Sequence, residues 1–154
     1  MAVQTRTNDI TSRGEAVKGW VQLSRPPFQL AGVLPFVLGA VLAWRMYGTF
    51  NWPVFGLGTL AVILIMLSTY YAGEYYDLKG DKLSAERERN RFSGGSQAIL
   101  KGLVPQKQVK TASYLTLILA AVIGLILQFY YETGPWTIPL GTAGMVAGFF
   151  YSTP

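Results

Sequence analysis

Four long stretches of the chain carry no charged side chain, and the charged residues gather between them. Residues 26–44, 46–73, 111–131 and 133–154 contain no Asp, Glu, Lys or Arg. Each is about as long as the 17–25 residues that an α-helix needs to cross a bilayer. The pattern predicts an all-α fold: a polytopic membrane bundle with four transmembrane helices at about residues 28–44, 54–76, 112–130 and 136–151. Pro26 and Pro27 suit the first turn of the first helix. Pro35 inside it predicts a kink that a neighbouring helix must accommodate. Trp44, Tyr47, Trp52, Tyr130, Tyr131 and Trp136 fall at span ends, as an aromatic belt would. Gly141, Gly144 and Gly148 share one face of the last span, which lets another helix pack closely there.

Composition agrees with this pattern and narrows the chemistry. Of 154 residues, 51% are hydrophobic and 14% charged, against about 25% charged in soluble domains, so an ordinary water-soluble globule is excluded. With no Cys, disulfides, thiolate nucleophiles and Cys-ligated metals are excluded. With no His, the usual neutral-pH acid/base group is missing too. Catalysis here would rest on carboxylates, amines, hydroxyls or a hard metal ion.

The net charge of +5 does not point to nucleic acid, because the basic residues flank the apolar spans. Four Lys or Arg precede the first span, one lies in the first turn, eight lie between the second and third spans, and none lies in the last turn. The positive-inside rule then puts the N-terminus and the long loop in the cytoplasm, with the protein in the inner (cytoplasmic) membrane. Residues 1–27 read as a cytoplasmic N-terminal segment, without a cleavable signal peptide. Within it residues 17–23, with Trp20, form an interfacial amphipathic stretch. Residues 28–154 read as one membrane domain.

The chemistry concentrates in the loop at about residues 77–111 and at the helix end that enters it. Glu74, Asp77 and Asp81 are spaced i, i+3 and i+7, which places them within a sector of roughly 60° on a helical wheel. Carboxylates on one face repel one another unless a cation sits between them. Without His or Cys, Mg²⁺ is the ion such a set suits, often bridging carboxylates to a substrate phosphate. Lys82, Arg87, Arg89 and Arg91 suit phosphate oxygens. In Phe92-Ser93-Gly94-Gly95-Ser96 the glycines let backbone N–H groups approach an anion. A diphosphate head on a lipid tail fits such a site. A plainer reading stands beside it: solvated acidic residues at a span end, an exposed charge run over residues 86–91, and a Gly-Gly-Ser turn. Tyr70 and Tyr71 can face a reactive cation, although interface anchoring is the simpler role.

These residues resemble the UbiA superfamily of intramembrane prenyltransferases. Its first motif, Asn-Asp-x-x-Asp-x-x-x-Asp at the end of the second helix, is matched here by Gly73-Glu74-Tyr75-Tyr76-Asp77-Leu78-Lys79-Gly80-Asp81. Asp77 and Asp81 match, Glu74 stands for an Asp, and Gly73 replaces the Asn. Three further segments follow the family's order: Ser24-Arg25-Pro26-Pro27 with Leu38-Gly39, Arg91-Phe92-Ser93-Gly94-Gly95 with Gly102-Leu103-Val104, and Phe150-Tyr151-Ser152-Thr153-Pro154.

The resemblance implies a transferase moving a prenyl group from a polyprenyl diphosphate to an aromatic quinone precursor or another lipophilic acceptor. Mg²⁺ would be held by Glu74, Asp77 and Asp81, which form the catalytic set. Lys82, Arg87, Arg91, Arg25 and Tyr151 would bind the diphosphate. Family members are about twice as long, with nine membrane helices and a second Asp-rich motif. The chain is therefore expected to be about half of a nine-helix fold and inactive alone. The rival enzyme class, the CDP-alcohol phosphotransferases, requires an Asp-Gly-x-x-Ala-Arg segment that is absent here. The non-catalytic alternative is a four-span binding or transport protein with an acidic ion site. Transporters place such charges near the bilayer midplane, whereas Glu74, Asp77 and Asp81 lie at a span end.

Overall fold

A computed structural model describes residues 13–78 and 96–151, and among these the chain forms five helices and no strand. They are α1 (Arg13–Ser24), α2 (Pro26–Tyr47), α3 (Trp52–Tyr76), α4 (Gln106–Phe129) and α5 (Thr137–Tyr151). Helices α2, α3 and α4 are long and apolar enough to cross a membrane, and the chain is an integral membrane protein. Helix α5 is equally apolar but has 15 described residues. At 1.5 Å per residue it covers about 22 Å, less than the hydrocarbon core of roughly 30 Å.

The helix boundaries follow local chemistry. Arg25 adopts a left-handed conformation (φ 44°) and breaks α1 from α2, which starts on two prolines. Helix α2 runs unbroken through Pro35 and stops at Gly48 (φ 72°), whose N–H closes on the Trp44 carbonyl. Asn51 caps α3 by accepting from the Val54 N–H at 3.2 Å. Helix α4 begins at Gln106, directly after Pro105, several residues before its apolar run. Lys107 and Lys110 lie in this polar start, where long stems can carry charge away from an apolar surface.

Helix α3 is the centre of the bundle and touches all four other helices, most extensively α4. The buried residues of α4, Val109, Ser113, Ala120, Ile123 and Leu127, recur at helical spacing and make one stripe. Helices α2 and α5 bury no residue. Such apolar exposure would be a large sticky patch in water; in lipid it is the ordinary outer face. The three glycines of α5 divide. Gly148 lies so close to α3 that a Cβ there would meet Thr69 Oγ1 at 2.7 Å, while Gly141 and Gly144 have open space beside them.

A compact cluster closes the bundle where α3 ends. Leu23, Tyr71, Ala98, Val104 and Val109 are buried together, with Trp20, Leu67 and Leu103 packed against them. Gly19 permits this: a Cβ there would sit 2.7 Å from Val104 Cγ2 and 2.8 Å from Leu103 Cβ. Tyr71 is 7% exposed and meets Trp20 edge-on at 5.5 Å. It therefore packs beneath α1 rather than anchoring at the interface.

Candidate functional site

Glu74 lies in the last turn of α3, is 3% exposed, and meets the cluster just described at Ala98. A buried carboxylate is costly unless donors surround it, and here they do. The Ser96 N–H donates to Oε2 at 2.8 Å, the Ser96 hydroxyl to Oε1 at 2.7 Å, and the Ala98 N–H to Oε1 at 3.2 Å. Arg25 Nη2 lies 3.7 Å from Oε2, with its guanidinium carbon 5.8 Å from the centre of the Tyr70 ring.

The backbone is bent to make this arrangement. Gln97 has φ 57° and lies between the two residues whose N–H groups converge on Glu74. Amides alternating about a left-handed residue form an anion-binding nest. Arg25 is the second left-handed non-glycine residue at the site. Such conformations cost about 1–3 kcal/mol each and persist where surroundings hold them. Glu74 is a common partner of both segments.

Asp77 is the C-cap of α3, its N–H donating to the Gly73 carbonyl at 2.9 Å, and its exposed side chain has no hydrogen-bond or ion-pair partner among the described residues. The C-terminus of a helix carries partial negative charge and favours cations. Two carboxylates in and just beyond the last turn of α3 reinforce that preference, so this end attracts a cation. Its donors are hard oxygens, the kind that suit Mg²⁺. Among the described residues no three acidic side chains gather around a common point. Asp81, Lys82, Arg87 and Arg91 lie outside the described residues. Tyr151 ends α5 and is 87% exposed. The approach of Gly148 to Thr69 puts it at the same end of the bundle as Tyr70 and Glu74.

Towards the other end lies a cavity of about 770 Å³, bordered by Phe36, Gly58, Met66, Gly124, Trp136, Gly141 and Gly144 among others. It is almost wholly apolar. Met66 precedes Glu74 by eight residues, or about 12 Å along a helix, so the cavity begins within reach of the charged end.

Sequence reasoning brought Glu74 and Arg25 into one site, and the structure joins them directly. It missed Ser96 and Ala98 as partners of Glu74. The signal was present, since the Gly94-Gly95-Ser96 segment was read as delivering backbone N–H groups to an anion. Of that segment Ser96 is described, and the anion its N–H meets in the folded chain is the protein's own Glu74. The family model described as the UbiA prenyltransferase family matches residues 33–154. No curated protein and no solved structure matches the chain.

Proposed function

The chain belongs to the UbiA prenyltransferase family, and from that premise we propose that it serves Mg²⁺-dependent transfer of a prenyl group from a polyprenyl diphosphate to a lipophilic acceptor, an aromatic quinone precursor being the type the resemblance favours. The observation that carries this reading is the electronegative end of α3, where exposed Asp77 follows a Glu74 already engaged with basic and N–H donors.

In this reading the acidic set of Glu74, Asp77 and Asp81 would hold the ion. When bound, it neutralises the diphosphate so that the allylic carbon–oxygen bond can break and the electron-rich acceptor can take the carbon. Lys82, Arg87 and Arg91 bind the diphosphate oxygens as charge develops on the leaving group. Arg25 and Tyr151 stand at the same end of the bundle and complete its rim. The apolar walls of α3, α4 and α5 hold the isoprenoid tail in the cavity and exclude the water that would quench a cationic carbon. The positive-inside count favours a cytoplasmic site and N-terminus in the inner membrane.

Binding of a labelled polyprenyl diphosphate to the full-length protein in lipid nanodiscs tests this. Saturable binding is expected with Mg²⁺ and not with EDTA. Equal binding in both conditions overturns the metal-dependent reading.

A further inference from the structure

The three carboxylates that the sequence sets on one helix face meet different surroundings, and this divides their work. An ionised carboxylate offers about four lone-pair directions. At Glu74 three are taken by the Ser96 N–H, the Ser96 hydroxyl and the Ala98 N–H, and Arg25 stands at the remaining side. The group is 3% exposed. Mg²⁺ demands near-octahedral oxygen ligation at about 2.0–2.1 Å, which Glu74 can supply only by giving up donors that keep a buried charge solvated. The Asp77 carboxylate, by contrast, is on an exposed residue and has no partner among the described residues.

We propose that Glu74 is a positioning residue of the transferase rather than a ligand of its metal. Its carboxylate ties three separate pieces of the chain together: the last turn of α3, the segment 96–98 that ends the basic loop, and Arg25 at the break between α1 and α2. Gly94, Gly95 and Arg91 stand only two, one and five residues before Ser96. Fixing Ser96 therefore fixes where that cation-bearing arm begins. The same carboxylate holds the Arg25 guanidinium against Tyr70. Glu74 thus sets the placement of the groups that grip the diphosphate, while Asp77 and Asp81 are left to the ion. A side chain one methylene longer than Asp suits this role, since it must reach from the helix to the neighbouring segment.

This inference rests on the prenyl-transfer reading, and the test separates the two. The full-length protein in nanodiscs is titrated with Mn²⁺, followed by electron paramagnetic resonance, and separately assayed for prenyl transfer at varied Mg²⁺ and varied polyprenyl diphosphate. Glu74→Gln keeps the shape but loses the charge and one acceptor. It is expected to bind Mn²⁺ within about twofold of the parent while its KM for the prenyl diphosphate rises about tenfold or more, the loss that a charge-assisted hydrogen bond implies. Ser96→Ala leaves Glu74 intact and removes one donor. It is expected to raise KM in the same direction by a smaller factor, with Mn²⁺ binding unchanged. Asp77→Asn serves as the reference and should lose Mn²⁺ binding. If Glu74→Gln loses Mn²⁺ as Asp77→Asn does, Glu74 is a ligand and the positioning role is wrong, while the transferase reading stands. If KM is unmoved in both Glu74→Gln and Ser96→Ala, the role is merely structural. If the parent protein itself shows no transfer with any prenyl diphosphate, it is the functional reading that fails.

Discussion

Ser68 on α3 and Ser113 on α4 exchange hydrogen bonds across the most extensive interface of the bundle. Each hydroxyl donates to the other's backbone carbonyl, at 2.9 Å and 3.2 Å, with both side chains buried. In lipid, the hydrophobic effect gives neighbouring helices no reason to associate, so small residues and interhelical hydrogen bonds do that work. The pair lies between the charged end of α3 and the apolar cavity, and it fixes the register of the two helices that wall both.

Because each bond uses one hydroxyl and one backbone oxygen, removing one leaves the other standing. Ser68→Ala and Ser113→Ala should each destabilise the bundle by about 0.6 kcal/mol, the average for interhelical hydrogen bonds in membranes. The double variant should lose both bonds, about 1.2 kcal/mol in all. Unfolding in mixed detergent micelles measures all three. A strong coupling between the two substitutions would mean that the hydroxyls act on each other, contrary to the geometry.

The glycines of α5 should respond differently to the same change. Gly148→Ala forces Thr69 from the rotamer in which its hydroxyl donates to the Ile65 carbonyl at 3.0 Å, an overpacking cost of about 1–3 kcal/mol. Adding Thr69→Ala should restore most of it. Gly141→Ala and Gly144→Ala meet nothing within 4 Å and should be neutral or stabilising by up to about 1 kcal/mol. The same unfolding assay ranks the four variants.

Much of this architecture could be read from the chain because charge-free runs are a direct physical signature of a lipid-facing helix. The starts of α2 and α3 lie within two residues of expectation, with prolines and Asn51 as their caps. The start of α4 lies further off, since four of the five residues from Gln106 to Lys110 are polar, Val109 excepted, and hydropathy sees only the apolar part of a helix. Less legible was what the cluster at the end of α3 does. Hydropathy cannot tell that α1 folds over Tyr71 through Trp20, or that Gly19 lets α1 approach Leu103 and Val104. Periodicity grouped Glu74 with Asp77, yet the partners of Glu74 lie 22 and 24 residues away at Ser96 and Ala98. No local pattern reports a contact of that separation.

The left-handed backbone at Gln97 gives a separate handle on the nest around Glu74. A β-branched residue is strongly disfavoured at φ 57°, so Gln97→Ile should cost about 1–2 kcal/mol. Gln97→Gly should be tolerated, since glycine adopts this conformation freely. Thermal unfolding in detergent compares them. Equal stability of the two variants would show that the segment 96–98 is not held in this shape in the membrane protein.

The last expectation concerns Asp77, whose side chain is exposed at the C-cap of α3 and makes no contact that holds the described fold together. Replacing it by Asn preserves size and cap geometry but withdraws one negative charge from an end where the helix dipole already favours cations. Insertion and thermal stability of the full-length protein should therefore stay at parental values, or rise slightly. Mg²⁺-dependent prenyl transfer should fall at least about 100-fold, equivalent to about 2.7 kcal/mol of transition-state stabilisation, which is within what a bound divalent ion supplies. Asp77→Glu keeps the charge on a longer arm and should retain intermediate activity at raised Mg²⁺. Radiolabelled prenyl transfer in nanodiscs, run beside a membrane-extraction control, checks both halves. Full turnover by Asp77→Asn would take Asp77 out of the metal site, and a failure to insert would mean that its role is in the fold.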